Sequence, residues 1–290
     1  MHTVVCFIGI AAVFCREGES SKRNVFRFNA REMFIVSLET LAVIPARMAS
    51  TRLPGKPLIE VGGVPLILRV SRGVRACSCV DRVIVATDDE RIAETVEADG
   101  GEAMMTPEDL PSGGDRVAWV SRRVPSQFVV NVQGDDPLVG PDMIEPLVAE
   151  LKNSPDTRLA LLVRRIEKAE EVSDPNIVKV VFDISGRALY FSRSPVPHPR
   201  KASRAVWYKH IGPYAWRRDF LLDFASGGQT PLEIAESLEM LRVLERGYTI
   251  RCVPAPRDTI EVDTPDDLRK LETFLAALPG GGSASGETRP

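Results

Sequence analysis

The segment QFVVNVQ, residues 127–133, carries apolar side chains at consecutive positions instead of alternating them with polar ones. A strand of that kind has to be covered on both faces, as happens when helices pack above and below a parallel sheet. The neighbouring sequence supplies the helices. Strand-like runs at 41–45, 82–87, 102–105 and 159–166 alternate with segments of helical period at 65–76, 90–98, 114–123 and 141–152. This alternation predicts an α/β fold, a doubly wound Rossmann-like sheet with 127–133 as a central strand.

The pattern changes in the second half. IVKVVFD (177–183) and RALYFS (187–192) flank Gly186 and read as a β-hairpin, and WYKHIGPYAWR (207–217) reads as a further strand. Helical segments at 217–225 and 231–246, a strand at 249–254 and a helix at 265–277 complete the pattern. The expected architecture is one domain, 39–278, with an inserted β-hairpin lobe.

The two ends differ from this middle. Residues 4–15 form an apolar run, too short for a membrane-spanning helix, which needs about 20 residues. The run lacks the basic n-region and the small-residue cleavage site of a signal peptide. Residues 1–38 therefore read as a disordered extension or as the product of a start set too early, with Met33 as the alternative first residue. A targeting segment is the competing reading. The Gly/Ser-rich stretch 279–290 is expected to be a flexible tail.

The 290 residues include 37 Lys plus Arg against 40 Asp plus Glu, a net charge of −3. Such a chain has no overall attraction for nucleic acid or an anionic membrane, so a polyanionic ligand has to be met by a local cluster of cations. Five cysteines and three histidines are too few and too scattered for a disulfide framework or a zinc site.

One such cluster exists. The first predicted strand runs into IPARMASTRLPGKPL (44–58), which holds Arg47, Arg52 and Lys56 and no acid. Ligands of open α/β sheets bind at the carboxyl ends of the strands, where this loop falls. Its small residues let backbone N–H groups approach an anion, and its three prolines limit the freedom lost on binding. The loop reads as a cradle for a triphosphate; a solvated basic loop is the plainer alternative. It is neither a GK[ST] P-loop nor a G-x-G-x-x-G dinucleotide turn.

Asp135 and Asp136 follow directly on the apolar strand and face the same crevice. A nucleoside triphosphate reacts with a divalent cation bound, and Mg²⁺ takes one or two protein carboxylates. Asp135 is one candidate ligand and Asp263, in VDTPDDL at the last strand-to-helix junction, is the other. Each has a structural alternative. Gly134–Pro137 has the composition of a turn, and Thr264–Asp267 has the form of a capping box, which leaves Asp263 unexplained.

The loop 44–58 resembles the N-terminal signature of the CMP-Kdo synthetases, the 3-deoxy-manno-octulosonate (Kdo) cytidylyltransferases. Related CMP-sialate synthetases usually carry KR where this chain has TR, and Asn where it has Pro57. The resemblance continues in order through RVIVATDDERI (82–92), SGGDR (112–116), VVNVQGDDP (129–137), DPNIVKVVFD (174–183), ALYFSRSPVP (188–197), KHIGPY (209–214), PLEIAESLEMLRVLERGY (231–248) and VDTPDDL (262–268). It spans about 41–275.

The resemblance implies a nucleotide-diphospho-sugar transferase (GT-A-like) fold and transfer of CMP from CTP to Kdo, which activates Kdo for lipopolysaccharide biosynthesis. It implies Mg²⁺ on Asp135 and Asp263, and catalysis by Arg52, Lys56, Asp135 and Asp263. Arg47, Ser50, Arg52, Lys56, Ser112 and Arg116 fall at nucleotide-binding positions. Gln133, Arg193, His210, Tyr214, Glu236 and Glu239 fall at sugar-binding positions; Glu236 and Glu239, three apart, are expected on one helix face, with an acidic solvated face beside Arg242 as the alternative. A cytoplasmic homodimer without nucleic-acid or membrane partners is implied too. The chain departs from the family at Gly114, where Thr is usual, at Asp136 for Glu, at Met240 for Gln, and at Pro213 and Trp216. Those departures leave open a related ulosonic acid, 8-amino-Kdo or sialic acid, and a non-catalytic CTP-binding homologue.

Overall fold

The computed structural model describes residues 7–8, 11–12, 38–49, 53–201 and 205–278. The chain divides into two units, Met1–Val36 and Ser37–Pro290. In the first, β1 (Phe7–Ile8) pairs antiparallel with β2 (Ala11–Ala12). The rest of the 1–37 stretch, the tail 279–290 and the loop residues Ser50, Thr51 and Arg52 lie outside the described residues.

The second unit holds the strands β3 (Leu38–Ala46), β4 (Glu60–Val61), β5 (Val64–Pro65), β6 (Arg82–Thr87), β7 (Ala103–Met105), β8 (Ser126–Asn131), β9 (Leu159–Arg165), β10 (Lys179–Phe182), β11 (Ala188–Ser192), β12 (Tyr208–Arg217) and β13 (Ile250–Pro254). Its helices are α1 (Leu66–Arg75), α2 (Glu90–Ala98), α3 (Gly113–Arg123), α4 (Pro141–Asn153), α5 (Ala169–Ser173), α6 (Arg218–Ser226), α7 (Pro231–Glu236), α8 (Glu239–Glu245) and α9 (Pro265–Ala277).

Strands β7, β6, β3 and β8 pair in parallel in that order. β12 then runs antiparallel between β8 and β9, and β13 adds in parallel beyond β9. Beside the first two residues of β12, the place of β8 is taken by β10, which forms the expected antiparallel hairpin with β11. The sheet is therefore doubly wound with one reversed strand and an added hairpin.

Residues 128–131 of β8 are buried, as a strand covered on both faces requires. On one face Ile67, Val70 and Val74 of α1, Ile92 and Val96 of α2, and Met143, Ile144 and Leu147 of α4 pack on Ala42, Ile44 and Val130. On the other, Val117 and Val120 of α3 and Phe220, Leu221 and Phe224 of α6 pack on Leu41, Val43 and Val129. Each such aliphatic side chain contributes about 1.5–3 kcal/mol by leaving water. Polar side chains set the helix starts. Asp89 accepts from the Arg91 N–H ahead of α2 and Ser112 from the Asp115 N–H ahead of α3. Thr264 and Asp267 form the capping box of α9.

The helix expected over 231–246 is two helices. Ser237 sits in the left-handed region at φ 54°, between α7 and α8, and breaks the helical path. The buried Glu233 on α7 accepts 2.7 Å from Arg242 Nε on α8 and so holds the two together.

The chain order reverses between β3 and β8: β6 and β7 extend the sheet on one side of β3, and β8 resumes on the other. A crevice at the carboxyl ends of strands on either side of such a reversal is the usual ligand site of open α/β sheets.

Candidate active site

The reversal brings Pro45, Ala46 and Arg47 at the end of β3 next to Gln133, Gly134 and Asp135 beyond β8, and together they line a cavity of about 330 Å³ with Lys56 and Asp263. The approach is tight. A Cβ on Gly134 would lie 2.8 Å from the Pro45 carbonyl oxygen, so only glycine lets the two strand ends come this close.

Lys56 Nζ donates to Asp135 Oδ2 at 2.7 Å and to Asp263 Oδ1 at 3.0 Å. Burial works against the ammonium, but the two carboxylates outweigh it and raise its pKa above the usual lysine value. Arg47 donates to the Leu110 carbonyl at 2.9 Å. Of the cations expected at a triphosphate, Arg47 and Lys56 thus line one crevice. Arg52 and Ser50 lie outside the described residues.

Two further cavities adjoin. One, of about 300 Å³, is lined by Gly113, Gly114, Asn131, His210, Tyr214 and Glu239 among others; a larger one, of about 680 Å³, includes Arg193, Lys209, His210, Tyr214 and Glu261. Gln133 lines all three.

His210 and Tyr214 stand between the latter two with their rings stacked, centroids 4.9 Å apart. Four residues of regular strand span about 13 Å, so period two alone does not explain the stack. β12 bulges: Ile211 pairs with Leu162 but Tyr214 with Leu161, two extra residues on one strand. Gly212 takes the positive φ of 64° that the bulge needs. Burial holds His210 low, at about 4, and pushes the Tyr214 hydroxyl up, so the pair is a neutral imidazole on a protonated phenol at neutral pH. His210 Nε2 has no protein partner among the described residues.

Several expected site residues are engaged by other parts of the protein. Arg116 is fully buried, donates 2.6 Å to Asp88 and also bonds Thr106, and lines none of these cavities. It braces α3 against the end of β6. Ser112 caps α3 and lies within hydrogen-bond reach of Glu239. Arg193 donates to the carbonyls of Pro175 and Glu236, each at 2.8 Å. Glu236 in turn accepts from Ser192 Oγ at 2.7 Å and from the Arg193 N–H at 2.9 Å.

Glu236 and Glu239 do not share a helix face, because Ser237 separates them: Glu236 points to β11 and Glu239 to Gly114. The solvated acidic face does not form either, since Arg242 pairs with buried Glu233. Burial pushes the Glu239 carboxyl above its ordinary value. Two residues of the larger cavity were not singled out from the sequence. Glu261 lines the cavity close to Asp135, Asp136 and Asp263, whose charges push its carboxyl upward. Lys209 bridges Glu171 and Asp258. The position of Glu261, two residues before Asp263, was the available signal.

Asp135 and Asp263 converge on one cation, here the ammonium of Lys56, and offer it hard oxygen donors. That donor set fits a divalent cation that takes one or two carboxylates and completes its shell with water and phosphate oxygens. Among the described residues no group of three or more His, Cys, Asp or Glu forms a protein-only metal cage. Asp136 is buried, bonds Thr259 and is pushed up to about 6 chiefly by burial, which sets it apart from the converging pair.

Residues 41–250 match the family described as cytidylyltransferase. The 3-deoxy-manno-octulosonate cytidylyltransferase of Syntrophotalea carbinolica is 49% identical over 247 residues, 82% of this chain and 98% of that protein. The chain belongs to this cytidylyltransferase family. The enzyme of the same name from Geobacter sulfurreducens is 46% identical, over 79% of this chain and 96% of its own. A solved CMP:2-keto-3-deoxy-manno-octonic acid synthetase complexed with CTP superposes with a TM-score of 0.79 at 41% identity, covering 82% of this chain and 98% of its own. A cytidylyltransferase from Leptospira borgpetersenii, 15% identical over 84% of this chain and 89% of its own with a TM-score of 0.59, shares the fold. The family's nucleotide-sugar transferase architecture, expected from the motifs, is the one present.

Proposed function

We propose that this nucleotidyltransferase passes CMP from CTP to the anomeric hydroxyl of Kdo and releases pyrophosphate. The observation that carries the reading is the convergence of Lys56, Asp135 and Asp263 in a crevice whose neighbour, Gln133, also lines the two cavities around the His210–Tyr214 stack. Phosphate chemistry and a polyhydroxylated acid need adjoining sites of these two characters.

In the reaction the anomeric oxygen bonds to the α-phosphorus, the bond from that phosphorus to the pyrophosphate oxygen breaks, and the hydroxyl proton is lost. Arg47, Lys56 and, by family position, Ser50 and Arg52 hold the triphosphate; the cations offset charge growing on the leaving group. A divalent cation, Mg²⁺ in our reading, is held by Asp135 and Asp263 and when bound supplies charge neutralisation and a more acidic attacking hydroxyl. Gln133, His210, Tyr214 and Glu239 orient the sugar. Neutral His210 offers the sugar a hydrogen-bonding edge at its Nε2. By the same family analogy we assign a cytoplasmic homodimer; no helix among the described residues is long and apolar enough to cross a membrane.

Pyrophosphate release from CTP, Mg²⁺ and Kdo tests the reading, with 8-amino-Kdo and sialic acid as parallel acceptors. Turnover with Kdo above the others is expected, and its loss in Asp135→Ala. No release with Kdo, or full activity of the variant, overturns the reading in substrate or in metal site.

A further inference from the structure

Three cations stand in register on neighbouring strands, the middle one lining the larger cavity: Lys179 on β10 faces Lys209 on β12, and Lys209 faces Arg164 on β9. Like charges directly opposite one another on a sheet are unfavourable, so each has to be offset on its own face. Lys179 Nζ donates to the carbonyls of Asp174 and Ile177, both at 2.7 Å. Arg164 donates to the carbonyls of Ala255 and Pro256, both at 3.3 Å. Lys209, in the middle and 7% exposed, donates to Glu171 at 2.9 Å and Asp258 at 2.8 Å.

The two partners of Lys209 lie on opposite walls of the cavity. Glu171, Asn176 and Ile177 line one, and Asp258, Ile260 and Glu261 the other. Of the three cations only Lys209 itself lines the cavity, and it bonds a lining residue of each wall. The second wall is anchored independently at its far end, where Thr259 Oγ1 donates to Asp136 and the Val262 N–H donates to the Asp135 carbonyl at 2.9 Å. Lys209 also directly precedes His210.

We propose that Lys209 is a positioning residue for the sugar acid: its double ion pair sets the separation of the two cavity walls and thereby the fit of the acceptor, without contacting the reacting atoms. This rests on the reading that the cavity takes Kdo. Its charge is spent on Glu171 and Asp258, so it is a clamp and not the receptor for the sugar's carboxylate. The bonds to Asp135 and Asp136 do not involve Lys209 and hold that end of the second wall when the clamp is cut.

Two measurements test it. In initial-rate kinetics, Lys209→Met raises KM for Kdo about tenfold while KM for CTP stays within about twofold, as a small misplacement of a bound group predicts. Lys209→Arg recovers most of that loss. An unchanged KM for Kdo, or both KM values rising together, overturns the proposal. If Lys209→Met does not fold, Asp258→Asn cuts one of the two bonds at its half-exposed end and carries the same expectation at about threefold.

Hydrogen exchange reads the clamp without any substrate. Removing both ion pairs in Lys209→Met speeds exchange in both 169–177 and 255–261, removing one in Asp258→Asn speeds it in 255–261, and both variants leave 129–136 unchanged. No acceleration in either wall refutes the clamp. A wild-type protein that exchanges as expected yet never turns over Kdo refutes the reaction instead.

Discussion

Lys56 and Asp135, 79 residues apart in sequence, meet at 2.7 Å. The lysine comes from the loop after β3 and the aspartate from the turn after β8, so the contact exists only because those two strands are neighbours in the sheet. The same ammonium reaches Asp263 at the start of α9. One cation thus ties the first, middle and last strand-to-helix junctions of the fold, at the place where a triphosphate and its divalent cation are proposed to bind.

Lys56→Met is expected to lower pyrophosphate release about 10²–10³-fold, the usual cost of losing one charge that stabilises a transition state. Without the shared ammonium, Asp135 and Asp263 repel. Added Mg²⁺ is therefore expected to raise the thermal midpoint of the variant more than that of the wild type. Equal midpoint shifts with and without the lysine count against convergence of the two carboxylates on a cation.

His210 titrates at about 4 in the folded chain because burial disfavours its charged form, against about 6.5 in an unfolded chain. The unfolded state therefore binds the extra proton first. The stability associated with the neutral ring is fully present above about pH 6.5 and is lost as pH falls toward 4. Comparing denaturation at pH 8 and pH 5, the wild type should lose about 1–3 kcal/mol more than His210→Asn. Parallel losses in the two proteins exclude a His210 held neutral by the fold.

Much of this was legible in the sequence, and the reason is local. The consecutive apolar residues Phe128, Val129 and Val130 fall on both faces of one strand, and the Thr264–Asp267 box encodes a helix start within four residues, so β8 and α9 fall where pattern places them. The break at Ser237 was not legible, since E-S-L-E carries no glycine or proline; the turn is held by Arg193 and Arg242, whose partners come from other elements. The inward turn of Arg116 depends on Asp88 in the same way. The motif could place His210 and Tyr214 at one site, but their stacking needs a bulge whose two extra residues appear only against β9. A side chain's address was readable; its direction depended on partners far away in the chain.

Gly134→Ala tests the close approach beneath the triphosphate crevice. Its Cβ would meet the Pro45 carbonyl at 2.8 Å, and this backbone contact cannot rotate away. Overpacking of this kind costs about 1–3 kcal/mol, measurable by urea denaturation. Because the strain is relieved by moving the turn that carries Asp135, kcat should fall at least about tenfold under conditions where the variant stays folded. Wild-type stability and rate in this variant contradict the packing of the two strand ends.

Gly114→Thr restores the residue usual in the family and bears on the sugar side. A Cβ there lies 3.1 Å from Glu239 Oε2 and 3.4 Å from Oε1, so the threonine hydroxyl is brought within reach of that carboxylate. In the wild type burial pushes the Glu239 carboxyl up. A new donor favours the charged form and should lower that pKa, which carbon-13 NMR of the carboxyl reads directly. The added Cβ also crowds the carboxylate, so Glu239 has to shift within the cavity it shares with the His210–Tyr214 stack. KM for Kdo should therefore change several-fold, while Lys56, Asp135 and Asp263, which do not touch Gly114, leave the metal requirement as it was. A carboxyl that titrates as before, with unaltered KM for Kdo, shows that Glu239 does not depend on the space left by Gly114.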